Sequence, residues 1–243
     1  MRIVLLSDIH ANVTALQAVL KDIETIGKLD AYVVLGDLVN YGPRPNEVID
    51  VVRQLSQKIM INLWGNHEYS IFGGSLDRFA TDRGRAVLRY TNTILTKESK
   101  SYLDTQMIHQ GQKECIVEGK SFLFVHGNLD DPYWGKFGIE KMADERYVKY
   151  EYVISGHSHV PHYVEHFFPS DNREYRNKKR TIFINPGSVG QPRNHNPLAQ
   201  YGILDTNSGN YEHRSVWYDV EAEQKLFSDS VDKFYKERLT LGI

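Results

Sequence analysis

Five short apolar runs of the chain each end in residues that can bind a metal ion. These residues are Asp8 with His10, Asp37, Asn66, His126, and His157 with His159. Carboxylate, imidazole and amide donors without any thiolate suit Mn²⁺, iron or Zn²⁺. A single Asp after a strand is usually a turn former, and a single buried His is usually a hydrogen-bonded core residue. Repetition at five run ends favours a metal site for the set.

The runs themselves have the length and composition of buried strands, rich in Val, Ile and Phe. We predict strands over residues 2–7, 31–35, 59–64, 121–125, 151–155, 181–184 and 201–205. Glycine adjoins four of the endings, which suits tight turns and a close backbone approach to an ion or phosphate. Because the carboxyl ends of parallel strands share one edge of a sheet, we expect the five endings to converge on one pocket.

Helical patterns separate the early strands. Residues 13–26 and 46–55 place apolar side chains on one face, so strand, helix and strand alternate and predict parallel crossovers. A longer helical pattern covers residues 76–108, a shorter one lies near 139–147, and an amphipathic one covers 219–240. The later strands have shorter connections, so we expect part of the sheet structure to be antiparallel.

The chain of 243 residues, 41% of them hydrophobic, predicts one α/β domain over residues 1–243. Within it we expect a helical cap-like insertion around 69–110 and a C-terminal helix around 219–240. The only cysteine, Cys115, cannot form an intrachain disulfide. The basic segment 173–180 is interpreted as an exposed hairpin tip rather than a phosphate site.

The net charge and the hydropathy of the chain restrict the classes of partner that it can bind. The net charge of −2 provides no global attraction to nucleic acid or an anionic membrane, and no basic stripe favours a nuclease. No apolar run has membrane length, and the first one meets Asp8 too soon for a signal peptide. These features favour a cytoplasmic protein, in which any polyanionic substrate must be bound by a local site.

The metal-capable residues occur in motifs that resemble the five blocks of the calcineurin-like metallophosphoesterases, in order and over roughly residues 1 to 206. The blocks are Asp8-x-His10, Gly36-Asp37 with Gly42, Gly65-Asn66-His67-Glu68, His126, and Gly156-His157-Ser158-His159. The segments 35–43, 125–134 and 185–193 are similar to a bacterial branch of small phosphodiesterases that includes dinucleoside polyphosphate hydrolases. Ala11, Asn40 and Glu68 depart from common family residues, but none is an expected ligand.

The resemblance implies a four-layer αββα sandwich of mixed sheets and a dinuclear metal centre. Asp8, His10 and His159 would hold one divalent ion, Asn66, His126 and His157 the other, and Asp37 would bridge them. Mn²⁺ is favoured, with iron or Zn²⁺ as alternatives. Ions about 3.5–4 Å apart can activate a bridging hydroxide for in-line attack on phosphorus. The family pattern also implies that His67, which needs no metal, is the catalytic acid at the leaving oxygen.

These expectations point to a phosphodiesterase or nucleotide pyrophosphatase that acts on a small phosphorylated, nucleotide-like substrate. Small phosphodiesters and dinucleoside polyphosphates such as diadenosine tetraphosphate are the expected classes. A phosphomonoesterase, including a protein phosphatase, and a non-catalytic nucleotide- or metal-binding module are the alternatives. Arg193 lies in a turn-rich loop, where it is either a ligand of a second phosphate group or a surface arginine. Tyr41 either stacks on a nucleobase or packs at the rim of the site, and the same choice holds for Tyr69, Tyr133 and Trp134.

Overall fold

The computed structural model describes residues 1–243 and contains two five-stranded mixed β-sheets with helices on their outer faces. The strands are β1 (Arg2–Leu6), β2 (Ala31–Val34), β3 (Ile59–Asn62), β4 (Gln112–Val117), β5 (Lys120–Val125), β6 (Tyr152–Ser155), β7 (His162–Phe167), β8 (Arg180–Asn185), β9 (Ala199–Asp205) and β10 (Tyr211–Val216). The helices are α1 (Val13–Glu24), α2 (Pro45–Gln54), α3 (Asn66–Ile71), α4 (Asp82–Ile94), α5 (Lys97–Thr105), α6 (Ile139–Met142), α7 (Val220–Gln224) and α8 (Lys233–Leu241).

The five metal-capable endings belong to two different sheets. The first sheet has the order β10-β9-β1-β2-β3, in which β1, β2 and β3 run parallel. The second has the order β4-β5-β6-β8-β7, in which β5, β6 and β8 run parallel. The expected mixed αββα sandwich is confirmed, but the endings meet across two sheets rather than along one.

Side chains point alternately to the two faces of each strand, and this alternation produces the layers of the sandwich. Ile3 and Leu5 of β1 pack between the sheets against a cluster that includes Phe122 and Phe124 of β5, and all four are essentially inaccessible to solvent. Val4 and Leu6, which point to the other face of β1, pack instead against the buried sides of α1 and α2. Each such side chain contributes about 1.5–3 kcal/mol on burial. The ends of β1 and β5 are therefore held firmly relative to each other.

All seven predicted strands are present, and the three that the sequence patterns did not predict are edge strands. β10 lies at one edge of the first sheet, and β4 and β7 lie at the two edges of the second. Each has mostly half-buried or exposed side chains. Strands of this kind have no continuous apolar run, so their pairing partner defines them more than their composition does. The basic segment 173–180 lies largely in the exposed hairpin between β7 and β8.

Three of the predicted helices are interrupted. The pattern near 139–147 forms the short helix α6 and then a separate 3₁₀ helix over Glu145–Lys149. The pattern over 76–108 is divided into α4 and α5 by Thr96, whose hydroxyl accepts a hydrogen bond from Ser99 N at 3.0 Å and caps α5. The pattern over 219–240 is divided into α7 and α8, which begin after Asp219 and Asp232. Each of these carboxylates accepts a hydrogen bond from a backbone N–H of its helix's first turn. None of the helices has the length and hydrophobicity of a membrane-spanning segment.

Candidate metal centre

The predicted ligands form two adjoining groups where the strands of both sheets end. The potential ligand atoms of Asp8, His10, Asp37 and His159 all lie within 4.8 Å of one another, and so do those of Asp37, His126 and His157. Asp37 belongs to both groups. All of these side chains are buried except that of His157, which is partly exposed. The two groups could each hold one metal ion, with Asp37 between them.

In the first group, backbone carbonyls orient the imidazole rings. Nδ1 of His10 lies 3.2 Å from Val39 O, and Nδ1 of His159 lies 2.6 Å from Gln191 O. A carbonyl oxygen only accepts, so each Nδ1 must carry the proton and each Nε2 must present a bare lone pair. Those two Nε2 atoms are 3.1 Å apart. Two facing lone pairs cannot bond to each other, but they suit a cation that lies between them.

In the second group, Asn66 completes the donor set. Nδ1 of His126 lies 2.7 Å from Leu35 O, which directs its Nε2 towards Asn66 Oδ1 at 3.1 Å. The Nδ1 atom of His157 lies 2.9 Å from the same amide oxygen. An amide oxygen and two imidazole nitrogens therefore converge on one point, which is the geometry that the predicted assignment requires.

Each carboxylate has one oxygen held by the protein and one without a partner. Oδ2 of Asp8 accepts hydrogen bonds from Ser7 Oγ and His157 N, while its Oδ1 is buried without a donor and lies 3.2 Å from His159 Nε2. Oδ1 of Asp37 accepts from His67 N, while its Oδ2 is buried without a donor. That Oδ2 lies 3.3 Å from His126 Nε2 and 3.7 Å from His10 Nε2. Orphaned buried anions among imidazoles fit two metal ions.

The protonation states suit metal binding. Burial would raise the pKa of Asp8 and Asp37, but the surrounding imidazoles hold both pKa values well below the usual range. Burial lowers the pKa of His10, His157 and His159, so these rings are neutral at pH 7.

His126 differs from the other three histidines. Burial would lower its pKa, but Asp37 raises it to about 9. In the metal-free protein its Nε2 therefore carries a proton, which an incoming ion would displace.

The turns that present the ligands have unusual backbone conformations. Five of the seven expected ligands have positive φ angles between 48° and 60°, namely Asp8, His10, Asp37, His157 and His159. Gly36, with φ of 97°, lies so close to Gly65 that a Cβ atom there would be 2.4 Å from Gly65 N. Left-handed conformations of non-glycine residues are strained and cluster at functional sites. The glycines allow the β2 and β3 turns to touch, which brings Asp37 beside Asn66.

Glu68, which the sequence patterns did not single out as functional, organises the Asp37 turn. Its side chain is fully buried and accepts hydrogen bonds from the backbone N–H groups of Gly65 (2.8 Å), Asp37 (2.9 Å), Leu38 (2.8 Å) and Val39 (3.2 Å). Burial and the Asp37 charge raise its pKa to about 7. The sequence feature that indicates this role is the position of Glu68 three residues after Gly65, where a Glu often caps the start of a helix.

His67 lies beside the metal groups without joining either. Its Nε2 is 3.8 Å from Asp37 Oδ2, and its Nδ1 is 2.6 Å from Asn40 Nδ2. Burial lowers its pKa to about 4, against the opposing effect of Asp37, so the ring is neutral at pH 7. The ring lines the open cavity beside the metal groups.

The cavity beside the metal groups has a volume of about 450 Å³. Tyr41, Trp134 and Arg193 line it together with Asp37, Asn66, His67, His157 and His159. Tyr69 and Tyr133 do not line it and stack on each other with ring centroids 4.3 Å apart. Two of the four aromatic candidates thus lie at the site, and two serve packing.

Comparison with known proteins places the chain in a family. The calcineurin-like phosphoesterase superfamily domain matches residues 1–209. Together with the two-sheet fold and the buried His/Asp groups, this match defines the chain as a metallophosphoesterase, and it belongs to the calcineurin-like phosphoesterase superfamily.

The relatives are similar over nearly their whole length. An uncharacterised protein of Methanocaldococcus jannaschii is 31% identical over 99% of this chain and 98% of its own. A metallophosphoesterase of Sphaerobacter thermophilus has 29% identity and a TM-score of 0.77, with full coverage of both chains. A Pyrococcus horikoshii OT3 protein has 21% identity and a TM-score of 0.80, covering all of this chain and 98% of that one.

Proposed function

We propose that the chain is a dinuclear metal-dependent phosphodiesterase or nucleotide pyrophosphatase that hydrolyses small phosphodiesters or dinucleoside polyphosphates. The observation that carries this proposal is the position of the orphaned Asp37 Oδ2 at the floor of an open cavity. It lies between two groups of imidazoles that are neutral or carry a proton that an ion can displace. Family membership supplies the reaction class, phosphoric ester hydrolysis.

The donor set supports the predicted ligand assignment. Asp8, His10 and His159 would hold one ion, Asn66, His126 and His157 the other, and Asp37 Oδ2 both. Two bound divalent ions would polarise the phosphoryl oxygens and provide an activated water. Oxygen and nitrogen donors without sulfur favour Mn²⁺, with iron and Zn²⁺ as alternatives.

His67 would serve the leaving group. Because Nδ1 of His67 faces the Asn40 amide nitrogen, Nε2 carries the proton and faces Asp37 and the cavity. In the reaction a water oxygen bonds to phosphorus and loses a proton, the bond from phosphorus to the leaving oxygen breaks, and that oxygen departs with the electron pair and gains a proton. The neutral Nε2–H group, fixed beside the metal groups, can stabilise the charge that develops on the leaving oxygen, and it can supply the proton itself when the ring is protonated.

The walls of the cavity favour a small anionic substrate. Its volume of about 450 Å³ suits a nucleotide-sized ligand rather than a folded protein. Tyr41 and Trp134 provide aromatic surface for a base or aryl group. Side chains from Arg78 to Gly84 and from α8 form the outer walls, so the segment 69–110 and the C-terminal helix would act as a cap over the metals.

A substrate panel with the Mn²⁺-loaded protein tests the proposal. Bis(p-nitrophenyl) phosphate, p-nitrophenyl phosphate, cyclic nucleotides and a dinucleoside tetraphosphate would be compared, and the products identified. We expect higher kcat/KM on the diesters or anhydrides than on the monoester. The Asp37→Asn protein, purified in parallel, controls for a contaminating phosphatase. Faster monoester cleavage would assign a phosphomonoesterase, and no turnover with Mn²⁺, Fe²⁺ or Zn²⁺ would assign a binding module.

A further inference from the structure

Three arginine side chains of the cavity have no acidic partner. Arg83, Arg193 and Arg238 line the cavity, and none of them forms an ion pair with an Asp or Glu side chain. Arg78, on the same cavity, differs because it pairs with Asp131. The three guanidinium groups therefore bring positive charge to this cavity without an Asp or Glu side chain paired to them.

One of these side chains, that of Arg238, is buried, and a second, that of Arg193, is half-buried. Arg238 is only 8% exposed, and its one hydrogen bond to the protein is from Nε to the Ile243 carbonyl oxygen. The Nε atom of Arg193 is buried without any acceptor. Burial, reinforced by the Arg193 charge, lowers the pKa of Arg238 to about 10, so the side chain stays charged at pH 7. The other N–H groups of Arg238 and the Nε of Arg193 have no hydrogen-bond acceptor in the protein, so they are available to an anionic ligand.

The polypeptide holds these groups in a fixed arrangement. The carbonyl of Gly242, just after α8, accepts a hydrogen bond from His195 N at 2.7 Å, which ties the helix of Arg238 to the loop of Arg193. Phe234 lies under both Arg83 and Arg238, with its ring centroid 3.8 Å and 5.0 Å from their guanidinium carbons. The three arginines thus come from three separate segments of the chain.

The cavity extends from the metal groups to the C-terminal helix α8. The same continuous cavity is lined at the metal groups by Asp37, Asn66 and His157 and at α8 by Arg238. Arg193 lies between these ends. Its backbone N–H donates to His159 O at 3.3 Å, and its guanidinium carbon lies 5.9 Å from the ring centroid of Tyr41, which stacks on Tyr235 of α8. The helix α8 lies outside residues 1–209, the part of the chain that matches the family. The family domain therefore supplies the metal groups, and the C-terminal segment adds Arg238 to them.

We infer that Arg83, Arg193 and Arg238 form a subsite for a second phosphate group, and that the preferred substrates are phosphoanhydrides with at least two linked phosphates. This inference rests on the proposed function, because it places the scissile phosphate at the metal groups and the next one at the arginines. Planar guanidinium groups bind phosphate oxygens through paired hydrogen bonds, which explains three arginines rather than lysines.

The test is a ratio of two rates measured on one protein. For wild type and variants, kcat/KM for a dinucleoside tetraphosphate is divided by kcat/KM for bis(p-nitrophenyl) phosphate, which has a single phosphate. We expect Arg238→Gln to lower this ratio about 10- to 100-fold, the usual effect of losing charge-assisted hydrogen bonds. Lys236→Gln removes a charge from the exposed side of the same helix and should change the ratio by less than about twofold.

A second variant tests the same subsite in case the Arg238→Gln protein does not fold. Arg83 is exposed, so Arg83→Gln should fold like wild type and still lower the ratio, by at least about threefold. Unchanged ratios in the folded arginine variants would overturn the subsite, and so would wild-type turnover of the diester without turnover of the anhydride. Those results leave the proposed phosphodiesterase intact, whereas no turnover of either substrate would remove the proposed function itself.

Discussion

Asn40 holds His67 in one tautomer. The Nδ2 atom of Asn40 lies 2.6 Å from His67 Nδ1, and Asn40 Oδ1 accepts a hydrogen bond from Thr91 Oγ1 at 3.0 Å. Because Thr91 donates to the amide oxygen, the amide nitrogen must face His67 and donate to Nδ1. The imidazole proton therefore resides on Nε2, the atom nearest Asp37 and the cavity.

The first prediction concerns the replacement of Asn40, which donates to His67, by an anionic side chain. Asn40→Asp places a carboxylate beside Nδ1, which favours the imidazolium form and should raise the pKa of His67 from about 4 by about 1–3 units. A histidine NMR titration of the metal-free protein, with His67→Ala to assign the resonance, measures the change. In the Thr91→Val protein no charge is introduced, so we expect a much smaller shift. An equal pKa in wild type and Asn40→Asp would contradict the assigned contact.

The second prediction separates the proposed donor from the proposed bridge. His67→Ala should keep two metal ions per chain but lower kcat about 10²- to 10⁴-fold, because it removes a proton donor and no ligand. Asp37→Asn should lower both metal content and activity, because it weakens the only side chain shared by both groups. Elemental analysis after gel filtration distinguishes the two. Equal metal contents in the two variants would refute this division of roles.

The third prediction concerns Glu68. Its carboxylate accepts four backbone N–H groups around the Asp37 turn, and Glu68→Gln keeps one acceptor oxygen but adds an NH₂ group that faces donors. We expect the free energy of unfolding to fall by about 2–4 kcal/mol and metal retention to weaken. Urea titration and metal analysis measure both. Glu47→Gln on the exposed side of α2 is the matched control, and a similar small loss in both variants would argue against the role of Glu68.

The fourth prediction links metal binding to pH. The pKa of His126 in the metal-free site is about 9, so below that pH an incoming ion must displace its proton. Metal affinity should therefore rise with pH up to about 9, with a slope near tenfold per pH unit if one proton is released. Calorimetry in two buffers of different ionisation enthalpy counts the protons. Release of no proton at pH 7 would contradict the protonated state of His126.

The fifth prediction is that metal removal destabilises the fold. The orphaned oxygens of Asp8 and Asp37 and the facing lone pairs of His10 and His159 are relieved when cations bind. An ion at 100 times its Kd stabilises the folded state by about 2.7 kcal/mol. A chelator should therefore lower the melting temperature, and added Mn²⁺ should restore it. In Asp37→Asn the chelator should have a much smaller effect.

The buried strands and the metal-capable residues could be predicted from the sequence because their signals are local. A strand such as β1 or β5 is recognised by a short apolar run, and the residue that follows it is read directly from the chain. The sandwich was expected from the family resemblance. The order of the family motifs also indicated which residues belong to one site. Spacing along the chain does not show how far apart those residues lie in space.

Only the tertiary structure decided how these local signals combine. The strands β4, β7 and β10 are defined by their neighbours in the sheets, since their own side chains are mostly half-buried or exposed. The role of Glu68 depends on the Asp37 turn, 31 residues away in sequence. Arg238 reaches the cavity because α8 folds back against the loop of Arg193. Contacts between distant segments have no local sequence period, so the shape of the cavity, and with it the choice of substrate, is set by packing.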